Sequence, residues 1–92
     1  MTLTELRYIV AVAQEKHFGR AAQRCHVSQP TLSIAIKKLE EELGLSLFDR
    51  SSNEVMTTNS GARIVAQARR VLDEAEGIRY LGNEEQSQLE GN

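Results

Sequence analysis

The residues best suited to chemistry lie at the start of one predicted helix, from Ser28 onward. At about 100° per residue, its regularly spaced apolar residues share one face: Leu32, Ile36, Leu39 and Leu43. The opposite face has no carboxylate in its first two turns. It carries hydrogen-bonding, basic and apolar side chains: Gln29 at its N-terminal edge, Pro30, Ser33, Ile34 and Lys37. Such a face is suited to contact with base edges in the groove of a nucleic-acid duplex.

Each of these side chains can make a specific contact with a duplex. Gln29 can donate one hydrogen bond and accept another in the plane of an adenine edge, and the Ser33 hydroxyl can act as donor or acceptor. Lys37 can reach a guanine edge or a phosphate, whereas Ile34 can contact a thymine methyl group or, equally well, another protein. The Ser28 cap and the free amide groups beside it offer a site for a phosphate.

Three arginines outside this helix can add contacts to the nucleic-acid backbone. Arg20 and Arg24 lie one turn apart on the preceding short helix, a spacing that fits clamping of phosphates. Arg50 lies near the tip of a predicted hairpin, from which it can enter the adjacent minor groove. A basic helix face is more often simply solvated, so charge alone is weak support for DNA binding.

The charges are distributed unevenly along the chain. Residues 16–39 contain five basic and no acidic residues, and the rest contains six basic and 13 acidic residues, so that +5 and −7 give the net charge of −2. The net charge argues against a nucleic-acid partner, since domains that bind nucleic acid are usually basic. The basic segment argues for one, because such an asymmetry indicates a partner of opposite charge.

Length and composition exclude several classes of protein. The 92 residues form one small domain at most, and they contain neither an apolar run of about 18 residues nor a signal peptide, so we expect a cytoplasmic protein without a membrane partner. A single cysteine, Cys25, excludes an intrachain disulfide and is typical of a small core residue. Cys25, His17 and His26 lack metal-ligand spacing, and no catalytic set of residues is present. We therefore expect no metal, no cofactor and no enzymatic activity.

Capping signals and apolar periodicity predict three helices in the first half of the chain. A capping box at Thr2 begins a helix that runs to about residue 14, and a shorter helix covers residues 18–25. The third helix has Ser28 as its N-cap and ends before Gly44, the residue type expected just past a helix C-terminus.

The second half of the chain predicts a hairpin and a long helix. Two β-like runs, 46–50 and 55–57, flank a polar turn. Thr58 can cap a last helix over 59–81, and the polar composition of residues 82–92 indicates a disordered tail. Apolar residues of the last helix recur at alternating spacings of four and three, a seam that predicts pairing with a second copy: Ile64, Ala68, Val71, Ala75 and Ile78, with Val65 and Leu72 beside them.

This order of elements is that of a mainly α fold, a winged helix-turn-helix followed by a long linker helix. Three helices and the short β-hairpin wing form a predicted DNA-binding domain at 1–58, with the helix-turn-helix motif at about 18–37. The linker and dimerisation helix takes 59–81, and a hinge or disordered tail takes 82–92.

Several motifs closely resemble the N-terminal domain of LysR-type transcriptional regulators over residues 1–81. They are Phe18-Gly19-Arg20-Ala21-Ala22, Val27-Ser28-Gln29-Pro30-Thr31-Leu32-Ser33, Leu39-Glu40, Leu43-Gly44 and Leu47-Phe48-Asp49-Arg50. Within the family, the runs 17–22 and 25–33 look most like peroxide-sensing members. Together with the reasoning above, the resemblance implies that these residues contact double-stranded DNA: Arg20, Arg24, Ser28, Gln29, Pro30, Thr31, Ser33, Ile34, Lys37, Arg50, Ser51 and Asn53.

The resemblance also implies how such a protein assembles. A homodimer paired through the last helix would read an inverted-repeat promoter site, and a longer protein can form a tetramer. The C-terminal sensor domain of the family is absent from this sequence, so we expect an isolated DNA-binding fragment in which Cys25 does not sense peroxide. Family members often carry Arg or Gln at the positions of Ile34 and Ala35, which predicts a different target sequence.

A protein-interaction module is the alternative to a DNA-binding domain. In that case the winged helix is a scaffold and the long helix only assembles subunits. The net charge and the apolar Ile34 favour this alternative, and the basic segment favours DNA. Salt dependence separates the two, because release of condensed counterions gives a steep slope only for a nucleic-acid complex.

Overall fold

A computed structural model describes residues 1–90 and contains four helices and one hairpin. Their order is α1 (Leu3–Glu15), α2 (Phe18–Arg24), α3 (Gln29–Leu43), β1 (Phe48–Asp49), β2 (Met56–Thr57) and α4 (Asn59–Glu90). The predicted order of a helix-turn-helix, a wing and a long helix is confirmed. None of the described helices combines the length and the apolar character that crossing a membrane requires.

The helix ends follow the local signals in the sequence. The predicted capping box is present, with the Glu5 N–H donating to Thr2 Oγ1 at 3.1 Å and the Thr2 N–H donating to Glu5 Oε1 at 2.9 Å. Gly44 ends α3 in a left-handed conformation with φ of 73°, which glycine adopts without strain. At the start of α4, the Gly61 N–H donates to Thr58 Oγ1 at 2.9 Å, so Thr58 is the predicted cap.

One core joins the three short helices, the wing and the first turns of α4. Its most completely buried large side chains are Ile9, Val12, Leu32, Leu39 and Leu47. α4 adds Val65 and Ala68, so residues after the predicted domain boundary at 58 belong to the same core. A Cβ atom on Gly61 would lie 2.0 Å from the Leu47 carbonyl oxygen, so only glycine allows α4 to approach this backbone.

The strands of the wing are shorter than the sequence predicts. Phe48 pairs with Thr57 and Asp49 with Met56, and no other pair forms in this antiparallel ladder. The next pair in this register, Leu47 and Thr58, keeps only one of its two ladder bonds, in which the Thr58 N–H donates to the Leu47 carbonyl at 3.0 Å. The Leu47 N–H donates instead to Glu40 Oε2 at 2.7 Å, so the regular ladder ends there.

The predicted end of the last helix near residue 81, with a disordered tail behind it, is wrong for residues 82–90. α4 continues to Glu90. A glycine inside a helix costs only about 1 kcal/mol relative to alanine, so Gly82 does not stop it. Good helix formers such as Glu84 and Glu85 follow, and no proline interrupts them. The last two residues, 91–92, lie outside the described part of the chain.

Candidate nucleic-acid interface

The core fixes the position of α3. Leu32 and Leu39 are fully buried and Ile36 nearly so, as the apolar stripe predicts. At the N-terminus of α3, the Thr31 N–H donates to Ser28 Oγ at 3.2 Å, and the Ser28 hydroxyl donates to Thr31 Oγ1 at 2.8 Å. Both hydroxyl groups therefore serve the helix cap, while the residues themselves stay exposed.

The opposite face of α3 is open to solvent. Gln29, Pro30 and Lys37 are exposed, and Ser33 is half-buried at the edge of the face. Ile34 is 69 % exposed although it is apolar. The helix wheel predicts this division correctly, and the structure brings the five side chains onto one surface.

The arginines of α2 are paired with a carboxylate. Arg24 Nη1 lies 3.1 Å from Glu15 Oε2, and Arg20 Nε lies 3.8 Å from Glu15 Oε1. Arg20 also donates from Nη2 to the Glu15 backbone carbonyl at 3.0 Å. Arg20 and Arg24 are thus not free cations as the sequence suggests. Sequence reasoning missed Glu15 because it lies one residue before the basic segment and on a different helix.

Arg50 directly follows β1, next to the turn of residues 51–54 as predicted, and its side chain lies beside α3. Its guanidinium carbon is 3.5 Å from the centre of the Phe18 ring, in a cation–π contact. Together with Ser33 and Lys37 it lines a hollow between α3 and the wing. The tip itself is formed by residues 51–54, where Ser51 and Asn53 are exposed.

Local hydrogen bonds shape the turn of the wing. The Ser51 N–H donates to Asp49 Oδ1 at 2.9 Å, and hydrogen bonds from the backbone and the hydroxyl of Ser51 lower the pKa of the Asp49 carboxyl. The Ser52 hydroxyl donates to the Glu54 carbonyl at 2.8 Å, and Glu54 Oε2 lies 3.9 Å from Lys16 Nζ. The turn therefore has a defined shape although its side chains face solvent.

The residues of the predicted dimer seam have different environments. Ala68 is 2 % exposed and lies in the chain's own core, so its assignment to a contact between chains is corrected. Ile64 and Leu72 are half-buried against the same core. Ala75 is half-buried, whereas Val71 is 37 % exposed and Ile78 is 74 % exposed. The spacing of three and four residues identifies the apolar stripe of α4. It does not distinguish the residues that pack in the chain's own core from those that stay exposed to solvent.

The histidines and the cysteine have structural positions. Nδ1 of His17 accepts a hydrogen bond from the Arg20 N–H at 3.0 Å and so caps α2, a role that the sequence analysis missed. Cys25 is half-buried, and burial raises the pKa of its thiol. Among the side chains that the structure describes, those of residues 1–89, no three of His, Cys, Asp or Glu are grouped so that they can hold a metal ion.

Sequence comparison identifies relatives along nearly the whole chain. Residues 3–62 match the model of the family described as "Bacterial regulatory helix-turn-helix protein, lysR family". The "Hydrogen peroxide-inducible genes activator" of Pectobacterium carotovorum is 45 % identical over 91 residues, which are 99 % of this chain and 30 % of the relative. The "DNA-binding transcriptional dual regulator OxyR" of Escherichia coli K12 has the same identity and coverage. The chain thus spans about a third of the length of these relatives.

Solved structures give the same assignment. Full-length OxyR C199D from Pseudomonas aeruginosa is 64 % identical, with a TM-score of 0.87 over 91 % of this chain and 28 % of that one. The DNA-binding domain of BenM, in a complex with benA site 1 DNA, is 38 % identical, with a TM-score of 0.89 over 95 % of this chain and 98 % of that one. This chain belongs to the lysR family of bacterial regulatory helix-turn-helix proteins.

Proposed function

We propose that this chain is the sequence-specific, double-stranded-DNA-binding part of a transcriptional regulator of the OxyR type. One observation carries the proposal: the chain superposes almost end to end on the BenM domain, whose structure is a complex with DNA. Two properties of α3 support it independently. Its outward face has hydrogen-bonding and basic groups, and its inward face is held rigidly by the core.

In this proposal α3 lies in the major groove. Gln29 and Ser33 read base edges, Ile34 contacts a thymine methyl group, and Lys37 reaches a guanine or a phosphate. The Ser28 end of the helix faces a backbone phosphate with its free amide groups.

The remaining contacts in this proposal come from α2 and the wing. Arg20 and Arg24 exchange Glu15 for phosphate oxygens when DNA binds. Ser51 and Asn53 of the wing approach the neighbouring minor groove.

We propose further that two copies bind an inverted repeat through paired α4 helices. Beyond the core, α4 exposes apolar side chains that a single chain leaves in water, among them Val71, Ile78 and Leu81. A two-fold dimer requires a site with matching symmetry. A tetramer of the longer protein, a response to hydrogen peroxide and a location at the bacterial nucleoid are parts of the same proposal, drawn from the names of the relatives.

The test begins with in vitro selection of duplexes from a random library by the 92-residue chain. Fluorescence anisotropy then compares the selected duplex with a scrambled duplex of equal composition across a salt series. We expect an inverted repeat, tighter binding of the selected duplex, and a clearly negative slope of log K against log salt. Failure to bind either duplex at low salt would overturn the proposal and favour a protein-interaction module.

Two lysine variants provide a matched pair for the assignment of α3. Lys37→Ala removes a charge from the outward face, whereas Lys38→Ala removes the same charge about 100° around the helix. We expect Lys37→Ala to weaken binding by about 1–3 kcal/mol if it contacts a base, and Lys38→Ala to have a smaller effect. An equal loss in both variants would contradict the orientation of α3.

A further inference from the structure

Arg50 and Phe18 form an interaction across the fold that the family assignment does not explain. They are 32 positions apart in the sequence, yet the guanidinium carbon of Arg50 lies 3.5 Å from the centre of the Phe18 ring, at the start of α2. The contact joins the wing to the helix-turn-helix. Because it fixes a cation beside α3, it bears directly on how the chain holds a duplex.

The Phe18 ring is a rigid support for this cation. Phe18 is only 6 % exposed. Its ring packs edge-to-face against the ring of Phe48, with ring centres 6.1 Å apart and planes at 80°. A buried ring fixed in this way cannot follow a mobile arginine, so the arginine takes its position from the ring. The contact also shields one face of the guanidinium without using any of its N–H donors.

Arg50 differs from the α2 arginines in its partners. Among the side chains of residues 1–89, no carboxylate oxygen lies within 4.0 Å of its guanidinium nitrogens, whereas Arg20 and Arg24 share the carboxylate of Glu15. The hollow that Arg50 lines also contains Lys37 and the Ser33 side chain.

One carboxylate also lines this hollow. Glu40 is a lining residue, but its Oε2 accepts a hydrogen bond from the Leu47 N–H at 2.7 Å and is thereby held by the protein backbone. The hollow therefore offers two cations and a hydroxyl group to an incoming anion.

We propose that Arg50 and Lys37 together hold one backbone phosphate of the duplex in this hollow, and that Phe18 is the positioning residue for Arg50. This inference rests on the proposed DNA-binding function. It places Arg50 on the phosphate backbone that borders the major groove, in place of the minor-groove contact that its sequence position suggests. A guanidinium held by its face presents its N–H donors in a fixed fork, the geometry that binds phosphate oxygens in pairs.

Arg50→Gln is the first test, with the selected duplex of the previous section and its scrambled counterpart as probes. Each lost phosphate contact reduces the log–log salt slope by about 0.9 and, at 0.1 M salt, weakens binding about eight-fold per bound domain. The loss should be equal on both duplexes, because a phosphate contact carries no sequence information. An unchanged slope, or a loss confined to the selected duplex, would overturn the assignment to phosphate.

Phe18→Leu tests the positioning role. It removes the ring face and keeps an apolar side chain, and we expect a two- to five-fold loss of affinity, the usual range for an exposed cation–π contact. Tyr8→Leu is the control, since it removes another aromatic ring from the same core, on α1, at a residue that does not line the hollow. Thermal unfolding identifies a variant that fails to fold.

A double-mutant comparison keeps the inference falsifiable even if both leucine variants are less stable. In the Arg50→Gln background, Phe18→Leu should cause no further loss of DNA affinity, because the cation that it positions is gone. A loss of the same size in both backgrounds would show that Phe18 acts only through the core. If the unaltered chain binds neither duplex, the proposed function fails; if it binds and these variants behave like it, only this inference fails.

Discussion

If Arg20 and Arg24 of α2 bind phosphates as proposed, Glu15 competes with DNA for them, and its removal should strengthen binding. The carboxylate makes one short ion pair with Arg24, at 3.1 Å, and a longer one with Arg20, at 3.8 Å. The arginine side chains are 49 % and 58 % exposed, so each pair is worth only a few tenths to about 1 kcal/mol. The two pairs share one carboxylate, and their joint stabilisation is on the order of 1 kcal/mol.

The variant Glu15→Gln removes this competition without changing the size of the side chain. Because about 1.4 kcal/mol corresponds to ten-fold in an equilibrium constant, release of the arginines should raise DNA affinity about five-fold. The gain should be equal on selected and scrambled duplexes, and the salt slope should stay close to that of the unaltered chain, because both arginines contact phosphates in either protein. Fluorescence anisotropy over a salt series measures both quantities.

Glu54→Gln is the matched control for the change in net charge. Glu54 lies on the wing and is 65 % exposed, and its contact with Lys16 is long, at 3.9 Å. Its removal changes the overall charge by the same amount but frees no arginine, so its effect on affinity should be smaller. Unchanged or weaker binding by Glu15→Gln would refute the reasoning, because Glu15 would then orient the arginines for DNA and not compete with it.

Three further predictions concern other parts of the molecule. Replacing thymine by uracil in the selected duplex should weaken binding of the unaltered chain but not of Ile34→Ala, if Ile34 contacts the thymine methyl group; equal sensitivity of both would exclude that contact. Gly61→Ala should lower the free energy of unfolding, measured by urea denaturation, by about 1–3 kcal/mol or more, because its Cβ would overlap the Leu47 carbonyl oxygen. Gly77→Ala, with no atom within 4 Å of the added Cβ, should raise it by up to about 1 kcal/mol. Ile78→Glu should shift the chain toward monomer in sedimentation velocity, with Val71→Glu as a second variant of the same seam; unchanged sedimentation of both would place the dimer contact elsewhere.

Local signals in the sequence predict most of the fold correctly. The Thr2 capping box, the Ser28 cap and the Gly44 end of α3 depend on residues within four positions of one another, and such relations can be read from the sequence directly. The outward face of α3 follows from its period in the same way. The length of α4 is harder to predict, because a composition rich in polar residues fits both a disordered tail and a solvated helix.

The partners of the charged residues could not be predicted, because they depend on tertiary packing. The turn between α1 and α2 carries Glu15 to Arg24, nine positions away, and the wing carries Arg50 to Phe18, 32 positions away. A count of basic residues treats Arg20, Arg24 and Arg50 alike. The structure separates them into two that share one carboxylate and one that lies against an aromatic ring.

This separation also explains how a chain of net charge −2 can present a surface for DNA. Six of its 13 acidic residues lie in α4 from Asp73 onward, after the last core contact at Leu72. At 1.5 Å per residue, Glu84 and Glu85 lie about 18–20 Å beyond Leu72 along the helix, about two Debye lengths at physiological salt. Their repulsion of a duplex at α3 is therefore largely screened. Glu15 is different, because direct contact with two interface arginines is not screened in this way. A single substitution at Glu15 should consequently change DNA affinity more than the loss of a carboxylate at Glu84 or Glu85, although each alters the net charge equally.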